Sequence, residues 1–265
     1  MEAAMQTPQR FSNRAVLVTG AAQGIGAAIA RQLLAEGAVV HAVDRNGTAL
    51  AQWLETQSPA PGRLFGHVLD IGQPAAVRDT VATIDAAGPL YGLVNCAGVL
   101  SPASLLDTAA EDWLHTFEVN VHGTFHVSQA VARWMVGRGE GAIVTVASNA
   151  GLTPRVDMGA YCASKAAAAM FTRCLGLELG RHGIRCNVVS PGSTRTPMLQ
   201  SLLDDNADAT RWLIDGDPAR YRTGIPLRKV AEPTDIARGV AFLLSPDAGH
   251  ITLQNLVIDG GATFA

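Results

Sequence analysis

No C-x-x-C pair occurs in this sequence, and its four cysteines (Cys96, Cys162, Cys174, Cys186) are scattered. That pattern predicts reduced, mostly buried thiols in a cytoplasmic protein. Charge is scarce at 16% of residues, and 20 Lys+Arg against 23 Asp+Glu leave a formal net charge of −3. A chain so close to neutrality lacks the general attraction for nucleic acid or anionic lipid that a basic balance would give. No uncharged apolar run approaches the ~20 residues of a membrane span. Residues 1–12 show neither an apolar core nor a small-residue cleavage site, so they predict a loose N-terminal tail rather than a signal peptide. The 27 glycines follow no period, which excludes a collagen-like repeat. No internal repeat and no Pro/Gly/Ser-rich linker divides the chain, so residues 1–265 are expected to form one domain.

Hydrophobic residues, by contrast, make up 48% of the chain, enough for a large buried core and too many for intrinsic disorder. They fall into short β-branched runs at residues 15–19, 38–43, 63–69, 90–94, 142–147, 184–189 and 256–258. Amphipathic or Ala-rich stretches at 24–36, 74–87, 111–136, 160–181 and 234–244 alternate with them as expected helices. Alternation of this kind predicts an α/β architecture, a doubly wound parallel sheet of about seven strands with helices on both faces.

The segment TGAAQGIG, residues 19–26, lies between the first apolar run and an Ala-rich helix. Glycines there permit a tight turn and bring backbone N–H groups close to a pyrophosphate, with the helix start adding partial positive charge. The next run ends at Asp44, eighteen residues past Gly26, where a carboxylate would accept from ribose hydroxyls and repel a 2′-phosphate. This favours NAD over NADP, although neighbouring Arg45 could bind such a phosphate.

Tyr161 and Lys165 stand four apart at the start of an Ala-rich helix, so they share one face. Ser148 closes an apolar run thirteen residues earlier, and the carboxyl ends of strands line the ligand crevice of a doubly wound sheet. Asn120 falls inside the expected helix 111–136, where Asn is a poor choice on propensity alone. His122 and His126 have a zinc-compatible spacing, but no Glu or third ligand accompanies them, and a packed or solvated helix face is the reading preferred. No metal is expected.

TGAAQGIG, NCAG (95–98), Asn120, Ser148, YCASK (161–165) and Pro191-Gly192 occur in this order. Together they resemble the short-chain dehydrogenase/reductase family, from Arg14 to Gly261; Cys96 departs from it, standing where the family usually has a second Asn. The resemblance implies an oxidoreductase with a catalytic tetrad. Tyr161 would be the acid/base, Lys165 would lower its pKa and hold the nicotinamide ribose, Ser148 would bond the reacting oxygen, and Asn120 would anchor a relay water. It further implies cofactor contacts at Gly20, Gln23, Gly24, Ile25, Gly26, Asp44 and Arg45. Asp70 and Ile71 would border the adenine, Asn95, Ala97 and Gly98 would line the cofactor, and Pro191, Gly192, Thr194 and Thr196 would meet the nicotinamide end.

Within that family, AIVTVAS (142–148), TPR (153–155), GLELG (176–180), IRCNVVSPGST (184–194) and HITLQ (250–254) resemble the dehydrogenases that oxidise 2,3-dihydro-2,3-dihydroxybenzoate in catechol siderophore biosynthesis. The substrate implied is a cyclic dihydrodiol carboxylate. Arg155 and Arg195 are then candidates for its carboxylate, because a guanidinium fork suits bidentate binding. Met158 and Met198 are candidates for ring contacts, and residues 197–221 read as a substrate flap. The family is mostly tetrameric, which implies a homotetramer. Dihydro-hydroxyanthranilate, another cyclic or secondary alcohol, a 3-oxoacyl-carrier-protein substrate, and an NAD-sensing protein without turnover all stay open on the residues alone.

Overall fold

The computed structural model describes residues 9–203 and 207–263. The chain opens with β1 (Ala15–Thr19), α1 (Gly24–Ala35), β2 (Val39–Asp44), α2 (Gly47–Glu55), β3 (Leu64–Val68) and α3 (Pro74–Ala87). There follow β4 (Leu90–Asn95), α4 (Ala110–Phe117), a single π-helical turn (Glu118–Gly123), α5 (Thr124–Arg138) and β5 (Gly141–Val146). Then come α6 (Gly159–Leu179), β6 (Ile184–Pro191), α7 (Pro197–Gln200), α8 (Ala207–Asp215), a short hairpin of β7 (Gly216–Asp217) and β8 (Arg222–Thr223), α9 (Pro233–Leu244) and β9 (Asn255–Ile258).

Seven strands form one parallel sheet in the order β3-β2-β1-β4-β5-β6-β9, as the alternation predicts. The central strands AVLVT and GAIVTV are buried along their whole length because helices cover both of their faces. On one side Ile29 and Leu33 of α1, Leu50 and Trp53 of α2, and Ile236, Val240 and Leu244 of α9 form the core. On the other Val77, Val81 and Ile84 of α3 meet Val127, Val131 and Met135 of α5. The strand order reverses between β1 and β4, and the carboxyl ends of the strands open a crevice there. The extension after β6 has a small core of its own, in which Leu213, Ile225, Val230 and Ala262 pack with Leu199 and Leu203. No helix among the described residues is long and apolar enough to cross a membrane.

Three features depart from the pattern expected. Helix α2 was not anticipated; Asn46 caps it by accepting from Ala49 N–H, which leaves β2 and β3 joined by a regular crossover. The long helix expected over 111–136 is interrupted by the π-helical turn, a wider loop of backbone that hydropathy does not register. The third is a correction to the loose tail at residues 1–12. Phe11 is fully buried, its N–H donates to Glu36 O, and Arg10 forks onto the Glu36 carboxylate at 2.7 Å through both Nε and Nη2. Residues 1–8 lie outside the described residues. An aromatic side chain and a buried carboxylate therefore tie this segment down, where polarity alone suggests freedom.

The Glu36 side chain is only 1% exposed, and Gln32 Nε2 at 2.7 Å is its other side-chain partner. Arg10→Ala would strand a buried charge, which costs about 3 kcal/mol. Urea denaturation of that variant is expected to show a midpoint lowered accordingly, and a loss below ~1 kcal/mol would mean that water reaches Glu36 unhindered.

Candidate functional site

The crevice is a cleft of about 420 Å³ at the carboxyl ends of β1, β2, β4, β5 and β6. At its floor the turn after β1 packs tightly on the end of β4. A Cβ on Gly20, whose φ is +66°, would stand 2.7 Å from Ala97 Cα, and one on Gly26 would stand 2.1 Å from Gly20 O. No side chain caps α1 at Gln23, and its first turn holds no acidic residue. The helix start therefore presents bare backbone N–H groups to the cleft, the arrangement that accepts a phosphate group.

The Asp44 carboxylate sits at the far end of this floor. One oxygen accepts from Ala22 N–H at 3.1 Å and the other from Asn46 N–H at 3.0 Å, which fixes its orientation toward the cleft. Gly20, Gln23, Gly24, Ile25, Gly26, Arg45, Asp70, Ile71, Ala97 and Gly98 line the same cleft, as do Pro191, Gly192, Thr194 and Thr196. A bare helix start, a glycine floor and a carboxylate at the end of β2 together fit a dinucleotide.

Tyr161, Lys165 and Ser148 converge on the other half of the cleft. Lys165 is 6% exposed, and its Nζ donates to Val146 O at 3.0 Å and lies 5.7 Å from the Tyr161 ring centre. Burial lowers its pKa to about 8. Burial likewise pushes the Tyr161 phenol up to about 12, against a hydrogen bond with Ser148 that acts to lower it. The Ser148 hydroxyl also accepts from Ala150 N–H at 3.1 Å, so two contacts hold its direction. Burial raises Cys96, the position that departs from the family pattern, to about 12, which leaves it a neutral thiol.

Two of the residues expected in the cleft do not line it. Asn95 is buried behind the floor, where its amide donates to Ser128 Oγ at 2.8 Å and Thr145 Oγ1 at 3.3 Å. It braces β4 against β5 and α5. Arg195 turns outward; its Nε meets Glu232 at 2.8 Å and its side chain is 57% exposed. Backbone direction after the Pro-Gly turn decides that, and spacing does not report it. Asn120 stands in the π-helical turn, 1% exposed, with its side chain fully engaged. Its Oδ1 accepts from Val99 N–H at 2.8 Å, and its Nδ2 donates to Val99 O at 3.0 Å and Ser164 Oγ at 2.9 Å. This geometry makes the Asn120 side chain a clamp between the NCAG turn and α6. His122 pairs with Glu118 at 2.8 Å, and His126 faces Ile71 O at 3.2 Å.

Arg155, Met158 and Met198 do line the cleft. So does Arg222, which the sequence did not single out; its Nη2 donates to Ser193 Oγ at 2.8 Å. It falls one residue beyond the expected flap, and only the β7–β8 turn directs it inward. Behind the Ser148 loop, Asn149 Nδ2 donates to Asp259 at 3.1 Å, while Thr263 Oγ1 and Gly261 N–H donate to the same carboxylate at 2.7 and 2.9 Å. Burial acts to raise this carboxyl, and these donors outweigh it and hold it below its ordinary value.

The short chain dehydrogenase family model matches residues 14–207. The chain belongs to the short-chain dehydrogenase family. This oxidoreductase is 47% identical to the 2,3-dihydro-2,3-dihydroxybenzoate dehydrogenase of Bacillus subtilis over 96% of its length and 97% of that protein. It is 45% identical to the vibriobactin-specific 2,3-dihydro-2,3-dihydroxybenzoate dehydrogenase of Vibrio cholerae, over 95% and 96% of the two chains. Among solved structures, levodione reductase superposes with a TM-score of 0.87 at 30% identity, covering 95% of this chain and 98% of the other. Family and relatives imply a nicotinamide cofactor and a small-molecule substrate.

Lys165 sets a pH signature in this dehydrogenase. Its folded pKa of about 8 lies below the unfolded value of ~10.4, so between these limits the unfolded chain binds more protons and stability rises with pH. Denaturant titrations of the cofactor-free protein at pH 7.5 and 9.5 should show a gain of about 1–2 kcal/mol that Lys165→Met abolishes. An equal gain in that variant would assign the titration to another group.

Proposed function

We propose that this dehydrogenase oxidises the ring C3 alcohol of 2,3-dihydro-2,3-dihydroxybenzoate, using NAD, and that the ketone formed tautomerises to 2,3-dihydroxybenzoate. The observation that carries the substrate is Arg155, a half-buried guanidinium that faces the cleft from the loop between Ser148 and Tyr161. Among the described residues no carboxylate lies within ion-pair distance of it. Burial lowers its pKa, so it stands ready for an anion from outside the protein. Near full-length identity to two dehydrogenases of that diol supports the same reading.

A nicotinamide bound on the glycine floor would supply the hydride acceptor. The chain supplies orientation and proton movement. Ser148 Oγ donates to the reacting oxygen, and Tyr161 Oη takes the hydroxyl proton as the C3 hydrogen leaves with its electron pair. A phenol at about 12 is a poor base at neutral pH. The Lys165 ammonium, protonated below about 8 and close to the ring, favours the phenolate electrostatically. Asn120 keeps the NCAG turn and α6 in register without touching the reacting atoms. The ketone so formed tautomerises to the catechol, and aromatisation carries the reaction forward.

NAD is preferred because the fixed Asp44 carboxylate accepts from ribose hydroxyls and repels a 2′-phosphate. We read the enzyme as a cytoplasmic homotetramer. Four free thiols support the compartment. Trp113, Leu114, Phe125, Met170 and Leu177, exposed along α4, α5 and α6, supply apolar surface for assembly.

NAD reduction with purified protein and 2,3-dihydro-2,3-dihydroxybenzoate tests the activity. Rapid NADH formation with a catechol product is expected, and Tyr161→Phe should lower kcat by about 10²–10⁴ while leaving NAD affinity within a few-fold. Silence on the diol with NAD still bound would refute the substrate. Asp44→Ala should raise kcat/KM with NADP relative to NAD by about tenfold or more, equivalent to ~1.4 kcal/mol; an unchanged ratio would move discrimination to Arg45.

A further inference from the structure

Four arginines, Arg211, Arg220, Arg222 and Arg228, fall on or beside the β7–β8 hairpin. Three have carboxylate partners: Arg211 pairs with Asp215 at 3.2 Å, Arg228 with Asp215 at 2.6 Å, and Arg220 with Asp157 at 3.4 Å. Arg222 is different. It turns into the cleft, and the hydroxyl of Ser193 is the side-chain partner that fixes it. Asp217, at the start of the hairpin, acts on it electrostatically, but that carboxylate already caps Ala219 N–H. Arg155, on the wall formed by the Ser148–Tyr161 loop, also has no carboxylate in ion-pair reach among the described residues, although Asp259 acts on it electrostatically.

The two walls are joined. The Arg220–Asp157 pair links the hairpin to the loop carrying Arg155, and Thr223 Oγ1 donates to Ala262 O at 2.9 Å from the other side. The cleft thus holds two partly buried cations whose supports are fixed to each other. Burial and the adjacent Arg155 charge both hold Arg222 below its ordinary pKa. Like charges placed together are costly where the nearest carboxylates, Asp259 for Arg155 and Asp217 for Arg222, act without forming an ion pair, and an anion seated between the guanidiniums relieves that cost. The location excludes the adenosine end: Asp44 lies at the end of β2, whereas Ser193 follows β6, four strands away in the sheet.

We propose that Arg222 and Arg155 together form a two-guanidinium seat for the substrate's carboxylate, with Arg222 as a determinant of specificity for acidic ring alcohols. The inference rests on the reading of the substrate as a cyclic dihydrodiol carboxylate. Two forks on one carboxylate, carried by different segments of the chain, leave the ring with a single orientation toward Tyr161, which one arginine alone would not impose.

The test compares kcat/KM for 2,3-dihydro-2,3-dihydroxybenzoate with that for the same cyclohexadiene diol lacking the carboxylate. It uses wild type, Arg222→Ala, Arg222→Lys and Arg195→Ala, with NAD saturating. Benzoate binding to each NAD-loaded protein is measured by calorimetry. Arg222→Ala should lower the acid-to-neutral ratio about 10- to 100-fold, mainly through KM for the acid, and weaken benzoate by a similar factor. Arg222→Lys should recover part of both effects, and Arg195→Ala should move neither. Equal losses on the two diols, or an unchanged ratio, would overturn the proposal while the substrate reading stood. Should wild type turn over neither diol, the substrate reading would fall. Arg222-dependent benzoate binding would then still support the seat, and its absence would overturn it.

Discussion

One ammonium group, that of Lys165, is held inside the protein among groups that carry no opposite charge among the described residues. Desolvating a cation is unfavourable, and its surroundings are built to tolerate it. The carbonyl at the end of β5 accepts from Nζ. Gly98 keeps its place beside it without a side chain, since a Cβ there would stand 3.2 Å from both Nζ and Asn120 Oδ1. Asn120 completes the arrangement by binding the adjacent turn to α6. In the mechanism proposed above, that uncompensated charge is what favours a phenolate four residues away on the same helix.

Most of the architecture was legible because central parallel strands buried on both faces, such as β1 and β5, read as apolar runs, and the partly exposed edge strands β3 and β9 keep shorter versions of the same signal. The departures arise where hydropathy carries no information. A π-helical turn has the same composition as the helices on either side of it, and its mark in this chain is a buried Asn at a position of poor helix propensity. Helix α2 begins at a Gly and is short, so its amphipathic face spans barely two turns. Phe11 and Glu36 show that a polar-looking terminal segment can be anchored by one side chain and one charge.

The site divides along similar lines. The glycine turn, Asp44, Ser148, Tyr161 and Lys165 were legible because each is bound to a strand end or a helix start, whose directions follow from the fold. Arg195 and Arg222 were not separable in advance. Arg195 follows the Pro-Gly turn and Arg222 lies in β8, and their directions are decided by Glu232 in one case and by a two-residue hairpin in the other. Asn95 and Asn120 belong to an intermediate class. Both amides donate to groups inside the protein, so they brace the elements around the cleft and do not line it.

The bond from Asn149 of the Ser148 loop to Asp259, itself held by Gly261 and Thr263, has a consequence for how the protein comes into being. β9 is the last strand of the sheet, and the carboxylate bracing Asn149 follows it directly. The glycine floor depends on late residues too, because α1 behind it is covered by Ile236, Val240 and Leu244 of α9. Both halves of the cleft therefore wait for the last thirty or so residues of the described chain, one for α9 and the other for Asp259.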